Sequence, residues 1–169
     1  MKKSVIIAVV VVIAVFVVVH GKEAARSPEL ESALAEVESE LTRCLIWQRD
    51  GQFWRSAPNA AYLIASSVRN DKEYRIDISL ENDDGEEVLV EIIRSFPETG
   101  VFWQDFYKKQ LIVDLATDEK VVQAHENHQH LRVSSVVLTY FEASPGGSLG
   151  SYELRDLDGD GKWDPVNGR

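Results

Sequence analysis

Four aspartates in the last fifteen residues of the chain stand at spacings that suit a hard cation. Asp156, Asp158 and Asp160 occupy alternate positions, and Asp164 follows four residues later. Calcium takes six to eight oxygen ligands at about 2.3–2.6 Å, so its carboxylates must converge within one tight loop. In "DLDGDGKWD" they fall at the first, third, fifth and ninth places, with the Lys162 carbonyl at the seventh and Gly161 at the sixth. A glycine there permits the sharp turn that aims the donors at one point. The chemistry expected is structural binding of calcium, with magnesium disfavoured by its tighter octahedral shell.

These residues resemble the DxDxDGxxD calcium loop of integrin-type β-propeller repeats and, less closely, EF-hand and dockerin loops. The resemblance covers the run from Asp156 to Asp164 and extends to no whole-chain family. It departs from the EF-hand at the twelfth place, where Asn167 stands instead of a bidentate glutamate, and at the eighth, where Trp163 replaces an aliphatic residue. What it implies is a weak structural site of the kind extracellular modules use, with dissociation constants of about 10⁻⁴–10⁻³ M. The competing reading is an Asp-Gly hairpin turn that is acidic for solubility alone.

Other groupings carry less. His125, His128 and His130 in "HENHQH" could hold a transition metal as neutral imidazoles. An extended backbone aligns only His128 with His130, and a helical one only His125 with His128, so a polar turn is the better expectation. Trp47, Phe53 and Trp54, and then Phe102, Trp103, Phe106 and Tyr107, could stack on a sugar or a peptide if exposed. Each such side chain buries about 150–250 Å², which favours a core role. Cys44 is the single cysteine, which excludes an intrachain disulfide and a cysteine zinc site but leaves a bridge between two chains open. The chain has no GxSxG and no phosphate-binding glycine loop, since "SPGGSLGS" lacks the lysine and the following helix. A hydrolase would need a site made by the fold, for instance from Asp77, Glu91 and Asp114.

The formal charge of −10, from 18 basic and 28 acidic residues, disfavours nucleic acid and anionic lipid as partners. At 169 residues the chain has room for one ordinary domain and an appendage. The appendage is expected at Met1–Gly21, where Lys2 and Lys3 precede an unbroken apolar run from Val5 to Val19. That run fits the apolar region of a signal peptide and falls short of the about 18–20 residues of a comfortable span. The uncharged stretch Ser4–Gly21 would nonetheless reach about 27 Å as a helix, so an uncleaved anchor through residues 5–19 is the alternative. Either way residues 22–169 are expected outside the cytoplasm, in a bacterial periplasm or at the cell surface.

Within that exported part, Ser27 reads as an N-cap ahead of Pro28, with Glu29 and Glu31 where the helix dipole favours acid. Leu30, Leu34, Val37, Leu41 and Cys44 form a short heptad seam, and Gly51 supplies a stop. The expectation is an amphipathic helix lying on the domain's own sheet, with a homodimer through the 28–48 helix as the alternative. "YRIDISLE" alternates as a half-buried strand, "ENDDGEE" is a turn, and "VLVEIIRSF" returns. Further strands are expected at Leu111–Leu115, Val121–His125, Val133–Glu142 and Tyr152–Leu157. The fold class is therefore α+β, an N-terminal helix packed on an antiparallel β-meander of five to seven strands, with the acidic loop at 155–167. The function expected is a non-catalytic envelope binding or accessory module for an unknown envelope protein or polymer. Its rivals are a membrane-tethered assembly protein acting through the helix, and the hydrolase.

Overall fold

The computed structural model describes residues 27–44, 49–69, 72–143 and 149–165. The apolar run Val5–Val19, Trp47 and Asn167 lie outside them. The chain is α+β. Helix α1 (Pro28–Arg43) and helix α2 (Gly51–Ser67) lead into strands β1 (Lys72–Asn82) and β2 (Glu87–Phe96). Helices α3 (Val101–Thr117) and α4 (Glu119–Glu126) follow, and then strands β3 (Leu131–Ala143) and β4 (Leu149–Asp156).

One antiparallel sheet of four strands results, in the order β2-β1-β3-β4. This corrects the expectation of a five- to seven-stranded meander. The chain forms two hairpins, and the connection through α3 and α4 sets β3 beside β1. The segments Leu111–Leu115 and Val121–His125 lie in α3 and α4. Over the whole of α3, the buried positions Tyr107, Leu111, Ile112, Leu115 and Ala116 repeat at the helical spacing of four, one, three and one. A five-residue apolar run taken alone looks the same in either structure. Asp118 then caps α4, its carboxylate accepting from Lys120 N at 2.9 Å and Val121 N at 3.4 Å.

The expected N-terminal helix also needs correcting. It ends at Arg43, and Gly51 opens α2. It packs on α3, with Lys109 Nζ of α3 2.6 Å from Glu38 Oε1 of α1. The sheet is covered instead by α2, by α4 against β2 and β3, and by α3, which lies beside α2 and reaches Phe96 through Tyr107. Small residues Ala57, Ala60, Ala61 and Ala65 let α2 approach closely, and Phe53 and Ile64 fill the space between. The narrower stripe of α1 has only Leu30 and Leu34 fully enclosed.

Alternation along β1 sends Tyr74, Ile76, Ile78 and Leu80 inward, each with 1% exposure or less. Burying such a side chain contributes about 1.5–3 kcal/mol. The outward set is polar, and Arg75 pairs there with Asp77 at 3.0 Å and with Glu91 at 2.6 Å. Tyr74 meets Phe96 edge-on, and Phe96 meets Tyr107 of α3 in the same way, with ring centroids 5.6 and 4.8 Å apart. A β-bulge interrupts the β1–β3 pairing. Ser79 faces Ser135 and Leu80 faces Val133, so Ser134 is the extra residue.

Candidate metal centre

The site is built where β4 runs out. Register places Asp156 opposite Val136 and Leu154 opposite Leu138, so Asp156 follows the inward-facing set. Its carboxylate is 1% exposed. A buried charge needs partners, and the chain supplies them by turning back at once. Asp160 N donates to Asp156 Oδ1 at 3.2 Å, and Gly161 N donates to Oδ2 at 3.0 Å. The turn is made by Gly159 and Gly161, with φ of 68° and 81°.

Gly159 is also held by space. A Cβ there would lie 2.6 Å from the Val133 carbonyl oxygen and 3.0 Å from that of Ser134. The loop therefore rests on the β3 bulge, whose Ser134 Oγ donates to the Ser79 carbonyl at 3.1 Å. Trp163 closes the far side, its indole Nε1–H donating to Ser67 Oγ at the end of α2 across 2.7 Å. The neck is tied by Asp164. Its N–H donates to the Arg155 carbonyl at 2.7 Å, and its Oδ2 accepts from Leu157 N at 2.8 Å.

One carboxylate oxygen from each of Asp156, Asp158 and Asp160 can be chosen so that all lie within 4.8 Å of one another. Two oxygens on a single calcium are at most about 5 Å apart, twice the bond length, so this spacing is compatible with one shared ion. Asp164 does not belong to the group; its carboxylate serves the neck. Lys162, expected to offer its carbonyl, sends its ammonium to Asp160 Oδ2 at 2.8 Å while its N–H donates to Asp160 Oδ1 at the same distance.

The electrostatics divide the three acids. Burial pushes the Asp156 carboxyl above the ordinary carboxylate range, against the pull of the backbone N–H groups of Gly161, Gly159 and Asp160. Asp160 is held below it, chiefly by its hydrogen bond to the Lys162 side chain. A cation entering here would replace that ammonium as the partner of Asp160 and relieve the unfavourable burial of an ionised Asp156. The same three carboxylates would supply three of the six to eight ligands a calcium ion takes, leaving the others to backbone and water.

The remaining expectations fall elsewhere. Among the described residues, His125, His128 and His130 form no convergent ligand group; they line a cleft away from the acidic loop. Phe53 and Tyr107 are core, Trp103 and Phe106 pack against it, and Trp54 is half-exposed. Burial, and then Glu40, push the Cys44 thiol up, which keeps it protonated and unlike an activated nucleophile. Asp77 and Glu91 both face Arg75, while Asp114 pairs with Arg94 at 2.6 Å. Sequence reading missed Ser67 and the Val133–Ser134 carbonyls, which seat the loop from α2 and β3, far away along the chain.

The molecule is thus an α+β domain with helices on one face of a four-stranded antiparallel sheet and an acidic loop seated at the sheet's edge. No family model, curated protein or solved structure matches it.

Proposed function

We propose that this chain is a non-catalytic accessory or binding domain of the cell envelope whose C-terminal loop is stabilised by calcium. The observation that carries the calcium reading is the approach of the Asp156, Asp158 and Asp160 ligand atoms to within 4.8 Å in a loop that joins β4 to the β3 bulge and α2. An ion there acts as a strut. It holds the last hairpin against α2 and neutralises an acid that the fold buries. The envelope location rests on the lysine-led apolar run Val5–Val19; among the described residues no helix is long and apolar enough to cross a membrane. Leu34 is buried and Leu41 packs against the core, which favours this reading over an assembly protein acting through α1.

The test is thermal unfolding of the full-length protein in EDTA and in calcium. A ligand that binds only the folded state adds RT ln(1 + [L]/Kd), about 0.4–1.4 kcal/mol at one to ten times the dissociation constant. Calcium should raise Tm measurably, magnesium less, and Asp158→Asn with Asp160→Asn should remove the response. An unchanged Tm at millimolar calcium in the wild type rejects the strut.

A further inference from the structure

A cleft of about 730 Å³ opens where the last turns of α1, α3 and α4 meet the turn that leads into β3. Its size lies within the roughly 300–1,000 Å³ typical of small-molecule sites. Cys44, Ala116 and Val122 give it an apolar portion. Its polar lining is unusual for a chain with a formal charge of −10, because two guanidinium groups and three imidazoles gather in it.

Those groups are not equally engaged. Arg43 is held by Glu40 at 2.8 Å, and His130 Nδ1 lies 3.9 Å from the buried Asp50. Among the described residues, the side chains of Arg49, His125 and His128 make no hydrogen bond or ion pair, although His128 N donates to the His125 carbonyl at 3.0 Å. The Glu126 carboxylate, the other acid of the lining, is likewise unengaged among the described residues, so two guanidinium groups face two carboxylates while the imidazoles of His125 and His128 stay free. His128 carries a second signal. Its φ is 61°, directly after the cap of α4, where a glycine would sit without strain. A histidine in that conformation points to a use for its side chain, and His128 lines the cleft.

We propose that the cleft binds a small organic acid with an apolar body. The body rests on Cys44, Ala116 and Val122, and Arg49 takes the carboxylate through charge-assisted hydrogen bonds. Imidazole N–H groups of His125 and His128 complete its partners. The cleft shares no residue with the acidic loop, so the calcium reading and this one fail independently.

Photolabelling of the full-length protein with 4-benzoylbenzoate, an aromatic carboxylate that cross-links on illumination, tests the assignment. Adducts should map by peptide mass spectrometry to the stretches containing Cys44–Arg49 and Ala116–His130. Arg49→Glu, a substitution of an exposed side chain, should lower their yield about tenfold, the effect of losing one charged hydrogen bond. Val122→Trp, which fills the apolar portion, should do the same. The cationic analogue 4-benzoylbenzylamine should label the cleft weakly in the wild type. Adducts confined to other surfaces, equal labelling by the amine, or undiminished labelling of Arg49→Glu would each overturn the proposal and leave the rim as solvated helix-end charge.

Discussion

Trp163 of the acidic loop and Ser67 at the end of α2 are joined by one hydrogen bond, from indole Nε1 to Oγ at 2.7 Å. The residues are 96 positions apart. Trp163 also packs against the core, so the acidic loop is anchored to α2 by both contact and direction.

That anchor can be measured. Ser67→Ala leaves a partly buried indole N–H without its acceptor, a loss of about 1 kcal/mol, or roughly 2–4 °C in Tm for a domain of this size. Trp163→Phe keeps much of the packing and removes the donor. The double variant should lose less than the sum of the two, with a coupling of about 0.5–1.5 kcal/mol. Strict additivity in urea titrations would show that the bond contributes nothing.

Asp156 should leave a signature in the pH dependence of stability. Its folded-state pKa is raised by burial, so between the ordinary carboxylate range and that raised value the folded protein holds a proton that the unfolded chain has released. Stability therefore falls as pH rises through that window, and the loss persists at neutral pH. Asp114 acts in the same direction, burial outweighing its Arg94 partner, so the comparison must be with a variant. In EDTA, Asp156→Asn should flatten the acid side of the Tm profile relative to wild type, and calcium at pH 7 should restore stability only to the wild type. Parallel profiles for the two proteins would remove Asp156 from the account.

Glycine replacement separates backbone conformation from space. Gly85 in the β1–β2 turn and Gly159 in the acidic loop both have positive φ, at 80° and 68°. Around Gly85 a Cβ meets nothing within 4 Å, whereas at Gly159 it meets the Val133 carbonyl at 2.6 Å. Gly85→Ala should cost about 1 kcal/mol for the left-handed backbone alone. Gly159→Ala should cost about 3 kcal/mol, because β3 or the loop must move as well. Equal losses in chemical denaturation would mean that the loop does not rest on the bulge.

How much of this was legible beforehand depends on how local the cause is. Period-two alternation in Tyr74–Glu81 and Val88–Phe96 identified β1 and β2, because one sheet face is buried and the other carries Arg75, Asp77 and Glu91. Ser27 and Pro28 announced the start of α1, since capping involves neighbours along the chain. The runs Leu111–Leu115 and Val121–His125 misled, because a short apolar stretch becomes helix or strand according to what covers it.

The spacing of Asp156, Asp158, Asp160 and Asp164 was a property of the sequence by itself, and so were the glycines that let the chain turn between them. Tertiary structure alone decided which of the four gather. Asp156 is buried by its register with Val136, Gly159 is pressed onto the β3 bulge, and Asp164 is drawn off to the neck. The same holds for Cys44, Arg49, Ala116 and His125, which share one cleft only because three helix ends meet there. Spacing within a loop is a matter of a few bonds, whereas convergence of distant segments depends on which faces bury the most apolar surface, and that is settled only when the helices and the sheet pack together.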